Sequence, residues 1–452
     1  MTILFNIDDD RPALMDDNST AWLSYGDLKA QGSIWRQLLT GPSGLVFLFA
    51  YNDINTVAAF FGAQAAGHVV ALIDPALSVE LKNELLKIYD PEWIIDTLIS
   101  SSPKNMHCVH LPLHKDLSVL LSTSGSTGSP KLVRLTAQNL LANAWAIGEV
   151  MAISSHDVAC GHLPLHYSFG LSVLTSHLLR GARIRLTKLS FTDRAFWPAM
   201  RDTQISHLPG VPFHFQMMEK LGYSRLNIPS VKSLAQAGGF LTIAARQKAY
   251  DFMERAGGNF YVLYGQTEAS PRMTTLRHQA FELAPGSVGI ALPGCQITIS
   301  NADEKGHGEV EFRGPNVMMG YAECRADLSR GDDLCGWLIT GDIGFLSDNG
   351  MLTLTGRSKR FGKIYGIRVN LDEVETFANL TCEVAVTQQE GALIVHMVGS
   401  GNPADDAENW QQILAGLTNR YTIPKFSYKV EFMPFLPRTE RGKIDYAALR
   451  TN

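Results

Sequence analysis

Apolar runs alternate with segments of helical periodicity through the first 264 residues of the chain. Residues 44–51 (GLVFLFAY) form an almost continuous apolar run, as expected of a strand buried on both faces. Residues 55–66 have the spacing of a helix, and residues 68–73 again have that of a strand. The alternation continues in residues 78–88, 93–97, 158–163, 171–179, 182–186, 213–221, 231–237, 242–256 and 259–264. It predicts an α/β fold of mainly parallel sheets with helices packed on them.

The pattern changes at about residue 287, where short alternating runs separated by glycine take over. Asp348-Asn349-Gly350 is a tight hairpin signal between two such runs. We therefore expect residues 287–356 to form a small antiparallel β-barrel or sheet inside a large domain of residues 1–356. Residues 357–452 are expected to form a small, mobile α+β domain, with the boundary at residues 356–360.

Composition and charge exclude several classes of protein. With 452 residues, 45% of them hydrophobic, the chain can bury a large core and is too long for one typical domain. A net charge of −5 gives no indication of binding to nucleic acid or to a membrane surface. The six cysteines include no C-x-x-C pair, which indicates buried thiols in a reducing cytosol. The acidic start, Asp8-Asp9-Asp10, and the shortness of every apolar run predict a cytoplasmic protein.

A loop of glycines and hydroxylated residues follows the apolar run of residues 117–121. Gly125 and Gly128 let backbone N–H groups approach an anion, and Lys131 adds a fixed positive charge. The spacing G-x-x-x-x-G-K-[ST] of nucleotide hydrolases is not met. Such a loop can be a simple connector, but its many hydroxyl groups favour a phosphate site between this strand and a helix that begins at Thr136. The hydroxyl residues are Ser122, Thr123, Ser124, Ser126, Thr127 and Ser129.

Residues 123–131 (TSGSTGSPK) resemble the T-S-G-[ST]-T-G-x-P-K signature of the adenylate-forming superfamily. This superfamily includes acyl- and aryl-CoA synthetases, peptide-synthetase adenylation domains and luciferases. Five of its motifs occur in the family's order between residues 117 and 445. The resemblance implies that Thr123 is a metal ligand as well as a phosphate-binding residue. It further implies that the phosphates of ATP are bound by Thr123, Ser124, Gly125, Ser126, Thr127, Gly128 and Lys131.

Residues 264–268 (YGQTE) follow an apolar strand and combine an aromatic ring, a glycine and a carboxylate. Loops at strand ends are where open α/β sheets bind ligands, and Mg²⁺ prefers one or two carboxylates together with nucleotide phosphates. Taken alone, the pentapeptide fits a plain turn equally well. It resembles the family's adenine and magnesium motif, which implies that Tyr264 stacks on adenine beside Gly265 and Gln266. By the same resemblance Thr267 bonds the phosphate or the acyl carbonyl, and Glu268 binds Mg²⁺.

Two further segments resemble family motifs that act on ATP. Thr340-Gly341-Asp342 and Gly356-Arg357 resemble the T-G-D and G-R motifs, which implies that Asp342 and Arg357 bind the ribose hydroxyls. Residues 437–445 (PRTERGKID) resemble P-[RK]-T-x-x-G-K-[IV]. The resemblance implies that Lys443 is the principal catalytic residue, which bridges the acyl carboxylate and the α-phosphate as negative charge develops.

Two more lysines lie where the family changes conformation between its half-reactions. The position two after the G-R arginine is the hinge in the family, and here it is Lys359, as in the luciferase branch. Lys363 matches a family lysine that faces the active site in the second conformation. A plain linker or a solvated run of charges is the alternative for both residues.

The acyl pocket is predicted from LPLHYSFGL, residues 163–171, which resembles the family's L-P-L-F-H-x-x-G-L. The order of the aromatic residue and the histidine is inverted, because His166 holds the aromatic position and Tyr167 the histidine position. Ser168 stands where amino-acid-activating members carry an aspartate for the α-ammonium group, which favours an acid without an α-amine. Gly238 and Gly239 resemble the segment that lines the pocket and the adenine, although glycines there also fit a strand-end turn.

The motifs together predict an ATP-dependent carboxylic acid ligase that uses Mg²⁺. An acyl- or aryl-adenylate and pyrophosphate form first, and the small domain then rotates so that a thiol takes the acyl group. Coenzyme A and the phosphopantetheine of an acyl carrier protein both remain open as acceptors, since they present the same thiol arm. The alternatives are a stand-alone amino-acid adenylation enzyme, an oxidative enzyme of the luciferase type and a non-catalytic nucleotide-binding regulator. Small carboxylic acids are the expected substrates, with neither nucleic acid nor a membrane as partner.

Overall fold

A computed structural model describes residues 7–100, 102–106, 112–122, 131–357, 361–364, 367–389, 392–420, 423–438, 444–446 and 448–450. The α-helices in these ranges are α1 (Tyr25–Leu38), α2 (Ile54–Ala65), α3 (Val79–Tyr89), α4 (Ala137–Val150), α5 (Ser168–Leu179), α6 (Phe196–Asp202), α7 (Pro212–Leu221), α8 (Ile243–Ala256), α9 (Leu371–Ala378) and α10 (Pro403–Arg420). In the described part of the chain, no helix is both long enough and apolar enough to cross a membrane.

The strands before residue 270 are β1 (Pro12–Met15), β2 (Leu23–Ser24), β3 (Leu45–Phe49), β4 (Val69–Ile73), β5 (Trp93–Ile95), β6 (Lys104–Asn105), β7 (Leu117–Ser122), β8 (Leu132–Thr136), β9 (Val158–Gly161), β10 (Arg183–Leu186), β11 (His207–Gly210), β12 (Ser233–Gln236) and β13 (Asn259–Gly265). Those after it are β14 (Arg272–Leu276), β15 (Ile290–Ala291), β16 (Gln296–Ser300), β17 (Gly308–Arg313), β18 (Gly320–Ala322), β19 (Trp337–Leu346), β20 (Leu352–Arg357), β21 (Phe361–Ile364), β22 (Ile367–Asn370), β23 (Val384–Gln389), β24 (Ala392–Val398) and β25 (Tyr428–Met433).

Two large sheets form the body of the molecule. One has nine strands in the order β15-β14-β13-β12-β11-β9-β10-β1-β2, and its strands from β13 to β1 are parallel. The other has seven strands in the order β18-β8-β7-β4-β3-β5-β6, with β7, β4, β3 and β5 parallel. A hydrophobic core joins both sheets to helices α1, α2, α4 and α5, as expected when helices cover parallel strands.

The edges of both sheets are antiparallel, which the alternating pattern did not predict. Strand β8 pairs antiparallel with β7, so the glycine-rich loop connects two strands rather than a strand and a helix. The pattern concealed β8 because Arg134 lies in its middle. The side chain of Arg134 is fully buried and donates to Asp333 Oδ2 at 2.6 Å and to the Arg330 carbonyl at 2.6 Å. Helix α4 follows directly, and the Thr136 side chain accepts from the Asn139 N–H as its N-cap.

The glycine-punctuated region contributes a four-stranded antiparallel sheet, ordered β16-β17-β19-β20. Strands β15 and β18 of the same region instead join the two large sheets. A separate hydrophobic core, which includes Ile364, Val395 and Tyr428, lies among α9, α10 and strands β21 to β25. The predicted boundary at residues 356–360 includes residues 358–360, which lie outside the described ranges, so the division into domains stays a prediction.

Candidate active site

The pentapeptide YGQTE lies where β13 leaves the nine-stranded sheet. Gly265 ends the strand, Gln266 follows it, and Thr267 begins a short 3-10 turn, Thr267–Ala269. A Cβ atom at Gly265 would lie 1.8 Å from the Pro271 carbonyl oxygen, so the fold allows only glycine there. Thr267 and Glu268 are therefore held at the carboxyl end of a parallel strand, which is the usual position of ligand sites in such sheets.

Three residues of the predicted nucleotide motifs are bonded to one another. The Tyr264 hydroxyl donates to Asp342 Oδ2 at 2.5 Å, and Arg357 Nε donates to Asp342 Oδ1 at 2.9 Å. Asp342 and Arg357 face each other in the pairing of β19 with β20. Burial, with a smaller effect of the Asp342 charge, raises the pKa of Tyr264 well above its ordinary value, so its hydroxyl keeps its proton. The charge of Asp342 raises the pKa of Arg357, so the guanidinium keeps its positive charge.

The predicted acyl motif meets YGQTE through a pair of hydroxyl groups. Ser168, the first residue of α5, has its Oγ 3.0 Å from Oγ1 of Thr267, and both side chains are buried. Beside them, Nε2 of His166 lies 3.2 Å from Oδ2 of Asp74, which follows β4. The acyl motif and the candidate catalytic turn thus form one cluster between the two large sheets.

The glycine pair after β12 approaches the same cluster. Gly238 has a positive φ of 82°, and a Cβ atom there would lie 2.5 Å from the Tyr167 hydroxyl oxygen. Both constraints require glycine. The carbonyl oxygen of Gly239 accepts from Gln236 Nε2 at 2.9 Å, which fixes the direction of the turn.

Lys131 and Glu268 are linked by an aromatic residue that the sequence analysis did not identify. The Nζ of Lys131 lies 3.7 Å from the ring centroid of Tyr321, whose hydroxyl donates to Oε1 of Glu268 at 2.7 Å. Lys131 Nζ is also 3.6 Å from Oε1 of Glu323. Tyr321 belongs to β18, which pairs with β8 beyond the glycine-rich loop. No motif marks Tyr321 in the sequence, since its role depends on this pairing.

For several predicted site residues the structure does not describe the side-chain contacts. Lys363 belongs to β21, opposite Arg368 of β22, and its side chain is not described. Those outside the described ranges are Thr123, Ser124, Gly125, Ser126, Thr127, Gly128, Lys359 and Lys443. Their predicted roles stay predictions.

Residues 87–322 match the sequence profile of a family described as AMP-binding enzyme, which is more than half of the chain. The chain belongs to the AMP-binding enzyme family. A 2-succinylbenzoate–CoA ligase of Staphylococcus epidermidis is 25% identical over 93% of this chain and 91% of that protein. A 4-coumarate–CoA ligase of Narcissus pseudonarcissus is 26% identical over 98% of this chain and 90% of its own length.

Solved structures of AMP-binding enzymes share this fold. ATP-bound MatB from Rhodopseudomonas palustris has a TM-score of 0.79 at 20% identity and covers 99% of this chain and 97% of its own. The o-succinylbenzoate CoA synthetase MenE from Bacillus subtilis, in complex with its acyl-adenylate intermediate, also has a TM-score of 0.79 at 20% identity, with 98% and 96% covered.

These matches confirm the adenylate-forming superfamily, which the motifs predicted, and the α/β fold, which the alternation of apolar and helical segments predicted. They also confirm the class of reaction, an AMP-forming ligase that uses ATP to join an acid to a thiol. The stand-alone amino-acid adenylation enzyme is not favoured, because the relatives are CoA ligases.

Proposed function

We propose that this AMP-binding enzyme joins a small carboxylic acid to coenzyme A. The main support is the pair of contacts that Tyr321 makes with Lys131 and with Glu268. Through them a phosphate-binding cation and a candidate metal ligand lie on either side of the same tyrosine. The names of the relatives support coenzyme A as the acceptor, since they are CoA ligases of 2-succinylbenzoate, indoleacetate and 4-coumarate. A carrier-protein phosphopantetheine is the second candidate acceptor, because it ends in the same thiol arm.

In the first half-reaction a carboxylate oxygen attacks the α-phosphorus of ATP. The bond from that phosphorus to the bridging oxygen breaks, and pyrophosphate leaves. The glycine-rich loop and Lys131 hold the phosphates, while Asp342 and Arg357 receive the ribose hydroxyls. Lys443 from the small domain neutralises the charge of the two anions as they join. Thr267, held by Ser168, hydrogen-bonds the acyl oxygen.

The residues around Glu268 are compatible with Mg²⁺. Oε1 of Glu268 is held by Tyr321, and Oε2 accepts no hydrogen bond from a described residue. The described residues include no cluster of three or more His, Cys, Asp or Glu side chains that could hold a metal, so Glu268 is the one carboxylate that they offer here. Mg²⁺ commonly has one or two carboxylate ligands, with phosphate oxygens and waters as the others. When bound there, it would neutralise phosphate charge and orient the triphosphate, with Thr123 as the second protein ligand.

In the second half-reaction the thiol sulfur attacks the acyl carbon of the adenylate. The bond from that carbon to the AMP oxygen breaks, and the thioester and AMP are released. We assign this step to a second position of residues 357–452, which pivot at Lys359 and bring Lys363 to the site. Because ATP and coenzyme A are cytoplasmic metabolites, we assign the enzyme to the cytoplasm.

Substrate-dependent exchange of labelled pyrophosphate into ATP, measured across a panel of carboxylic acids, tests the first half-reaction. We expect exchange with at least one acid lacking an α-amine and little with amino acids, because Ser168 offers no carboxylate to an ammonium group. AMP release with coenzyme A, compared with a phosphopantetheinylated carrier protein, then identifies the acceptor. Nucleotide binding without exchange for any acid would contradict the proposal.

A further inference from the structure

A cavity of ≈ 20 Å³ lies between α4, α5 and the nine-stranded sheet. Its walls include Phe169, Leu263 and Arg272. Phe169 follows Ser168 in α5, and Leu263 precedes Tyr264 in β13. Arg272 pairs with Gly265 of the YGQTE segment across β14 and β13. Three residues of its lining are therefore direct neighbours of Ser168, Tyr264 and Gly265 of the candidate active site.

Arg272 is a buried cation without an acidic partner among the described residues. Only 3% of its surface is exposed, and its Nη1 forms no hydrogen bond with any described group. Its guanidinium lies 5.4 Å from the ring centroid of Phe169. Burial lowers the pKa of Arg272 to about 9. A guanidinium in such a place is unfavourable unless an anion pairs with it, so the site is incomplete without an anionic ligand.

His177 and His207 also line the cavity. His177 uses its Nδ1–H to donate to the Val173 carbonyl at 2.9 Å, and burial lowers its pKa to about 3, so its Nε2 is a neutral acceptor. The ring of His207 lies 5.1 Å from that of His177, and its Nε2 is 3.5 Å from Asp157 Oδ1. The neutral Nε2 of His177 and the carboxylate of Asp157 disfavour an anion beside these two rings, so an anion in the cavity is held at Arg272.

We propose that this cavity selects a short dicarboxylic acid and that Arg272 binds the carboxylate that does not react. The inference rests on the proposed ligase function and assigns its substrate class. Guanidinium and carboxylate match in a bidentate geometry, which gives both affinity and orientation. The substrate must be short, because a cavity of ≈ 20 Å³ has room for only a small group, about one or two waters in size.

Adenylate formation with matched pairs of acids tests the proposal, with hydroxylamine used to trap the acyl-adenylate. The pairs are malonic and propionic, succinic and butyric, and glutaric and valeric acid, which differ in the second carboxylate. We expect kcat/KM for one dicarboxylic acid to exceed that for its monocarboxylic counterpart by about 100-fold. Arg272→Met should remove that ratio mainly through KM, and Arg272→Lys should keep part of it.

Arg246→Met is the matched control, because Arg246 is also a buried arginine but donates to the Ser287 carbonyl at 3.0 Å and does not line the cavity. It should leave the ratio unchanged whatever it does to stability. The melting temperature and its increase with ATP show whether each variant is folded. If Arg272→Met does not fold, the ratio of kcat/KM values in the wild type and in Arg272→Lys tests the role of Arg272.

Equal activity on both members of every pair would overturn the inference, as would a uniform loss for all acids in Arg272→Met. In both cases adenylates still form, so the ligase function would stand while the substrate class would not. The absence of any adenylate with any acid would instead count against the proposed function itself.

Discussion

The hydroxyl of Tyr264 donates a 2.5 Å hydrogen bond to the carboxylate of Asp342, although 78 positions separate the two residues in the chain. Tyr264 is the last residue but one of β13 in the nine-stranded sheet, and Asp342 lies in the four-stranded antiparallel sheet. Arg357 completes the group through the other oxygen of Asp342. The two predicted nucleotide motifs are thus joined to each other within the protein itself.

Removal of this hydroxyl should weaken both stability and nucleotide binding. In Tyr264→Phe the buried Asp342 carboxylate loses a donor, which should cost about 1–3 kcal/mol in the free energy of unfolding. The KM for ATP should also rise. Urea unfolding and pyrophosphate exchange measure the two effects. Tyr261→Phe is the control, since Tyr261 is buried in the same strand and forms no hydrogen bond with a described residue. Equal behaviour of the two variants would contradict the role of the pair.

Gly238→Ala should lower the free energy of unfolding by more than the unfavourable backbone conformation of alanine alone would. Its φ of 82° costs an alanine about 1–2 kcal/mol, and the new Cβ also overlaps the Tyr167 hydroxyl at 2.5 Å. Gly257→Ala is the matched control, because its φ is 69° and no atom lies within 4 Å of the new Cβ. Adding Tyr167→Phe to Gly238→Ala should recover about 1 kcal/mol or more of the loss in urea unfolding. Additive effects of the two substitutions would exclude the overlap as the cause.

Glu268→Gln should raise the Mg²⁺ concentration needed for half-maximal pyrophosphate exchange. Loss of the ligand charge should lower exchange at fixed Mg²⁺ by at least about 10-fold, and Tyr321→Phe, which frees the carboxylate that Tyr321 orients, should have a smaller effect in the same direction. Glu323→Gln removes a nearby exposed carboxylate and should leave the Mg²⁺ requirement unchanged. A Mg²⁺ titration that is identical for Glu268→Gln and the wild type would exclude Glu268 as the ligand.

Substitution of Lys443 should slow the first half-reaction, and substitution of Lys363 should slow the second. Lys443→Ala should lower adenylate formation by about 10²- to 10³-fold, since it removes a positive charge from the joining anions. The same variant should still convert a supplied acyl-adenylate to the thioester. Lys363→Ala should show the reverse pattern, and Lys425→Ala, at an exposed position, should show neither. If both half-reactions fall equally in Lys443→Ala, the alternation between two domain positions is wrong.

His214 should make the protein less stable in mild acid. Burial lowers its pKa from 6.5 to about 4, and its Nδ1 accepts from the Val211 N–H at 3.1 Å, which requires the neutral ring. Between these two pKa values the unfolded chain binds a proton that the folded protein does not. The stabilising contribution is therefore complete above pH 6.5 and is lost as the pH falls toward 4, by up to about 1.4 kcal/mol per pH unit.

His214→Asn provides the comparison, because an asparagine oxygen can accept the same N–H without titrating. The dependence of the free energy of unfolding on pH should be less steep in this variant between pH 6.5 and pH 4. Urea unfolding at several pH values measures the difference between the two slopes. Parallel slopes would show that His214 keeps an ordinary pKa in the folded protein.

The sequence by itself determined much of the alternation of strands and helices in the first part of the chain, although not β8, α6 or β11, and it determined the positions of the motifs. Parallel strands and their helices are read from local periodicity, and the predicted strand at residues 44–51 is β3, Leu45–Phe49. The need for glycine at position 265 is also readable from the sequence, because a glycine in a motif indicates a place with no room for a Cβ atom. These features depend on neighbours within a few residues.

Only the tertiary structure decided which distant side chains meet. Arg134 reads as a polar interruption in the sequence, yet its strand is buried because Asp333 and the Arg330 carbonyl accept hydrogen bonds from both Nη atoms of the guanidinium. Tyr321 joins Lys131 to Glu268 only through the pairing of β18 with β8. Arg272 becomes a buried cation with no acidic partner among the described residues only once β14 lies against the cavity. The physical reason is that the free energy of a polar side chain depends on its partners and its burial, and these are set by contacts between elements far apart in the chain.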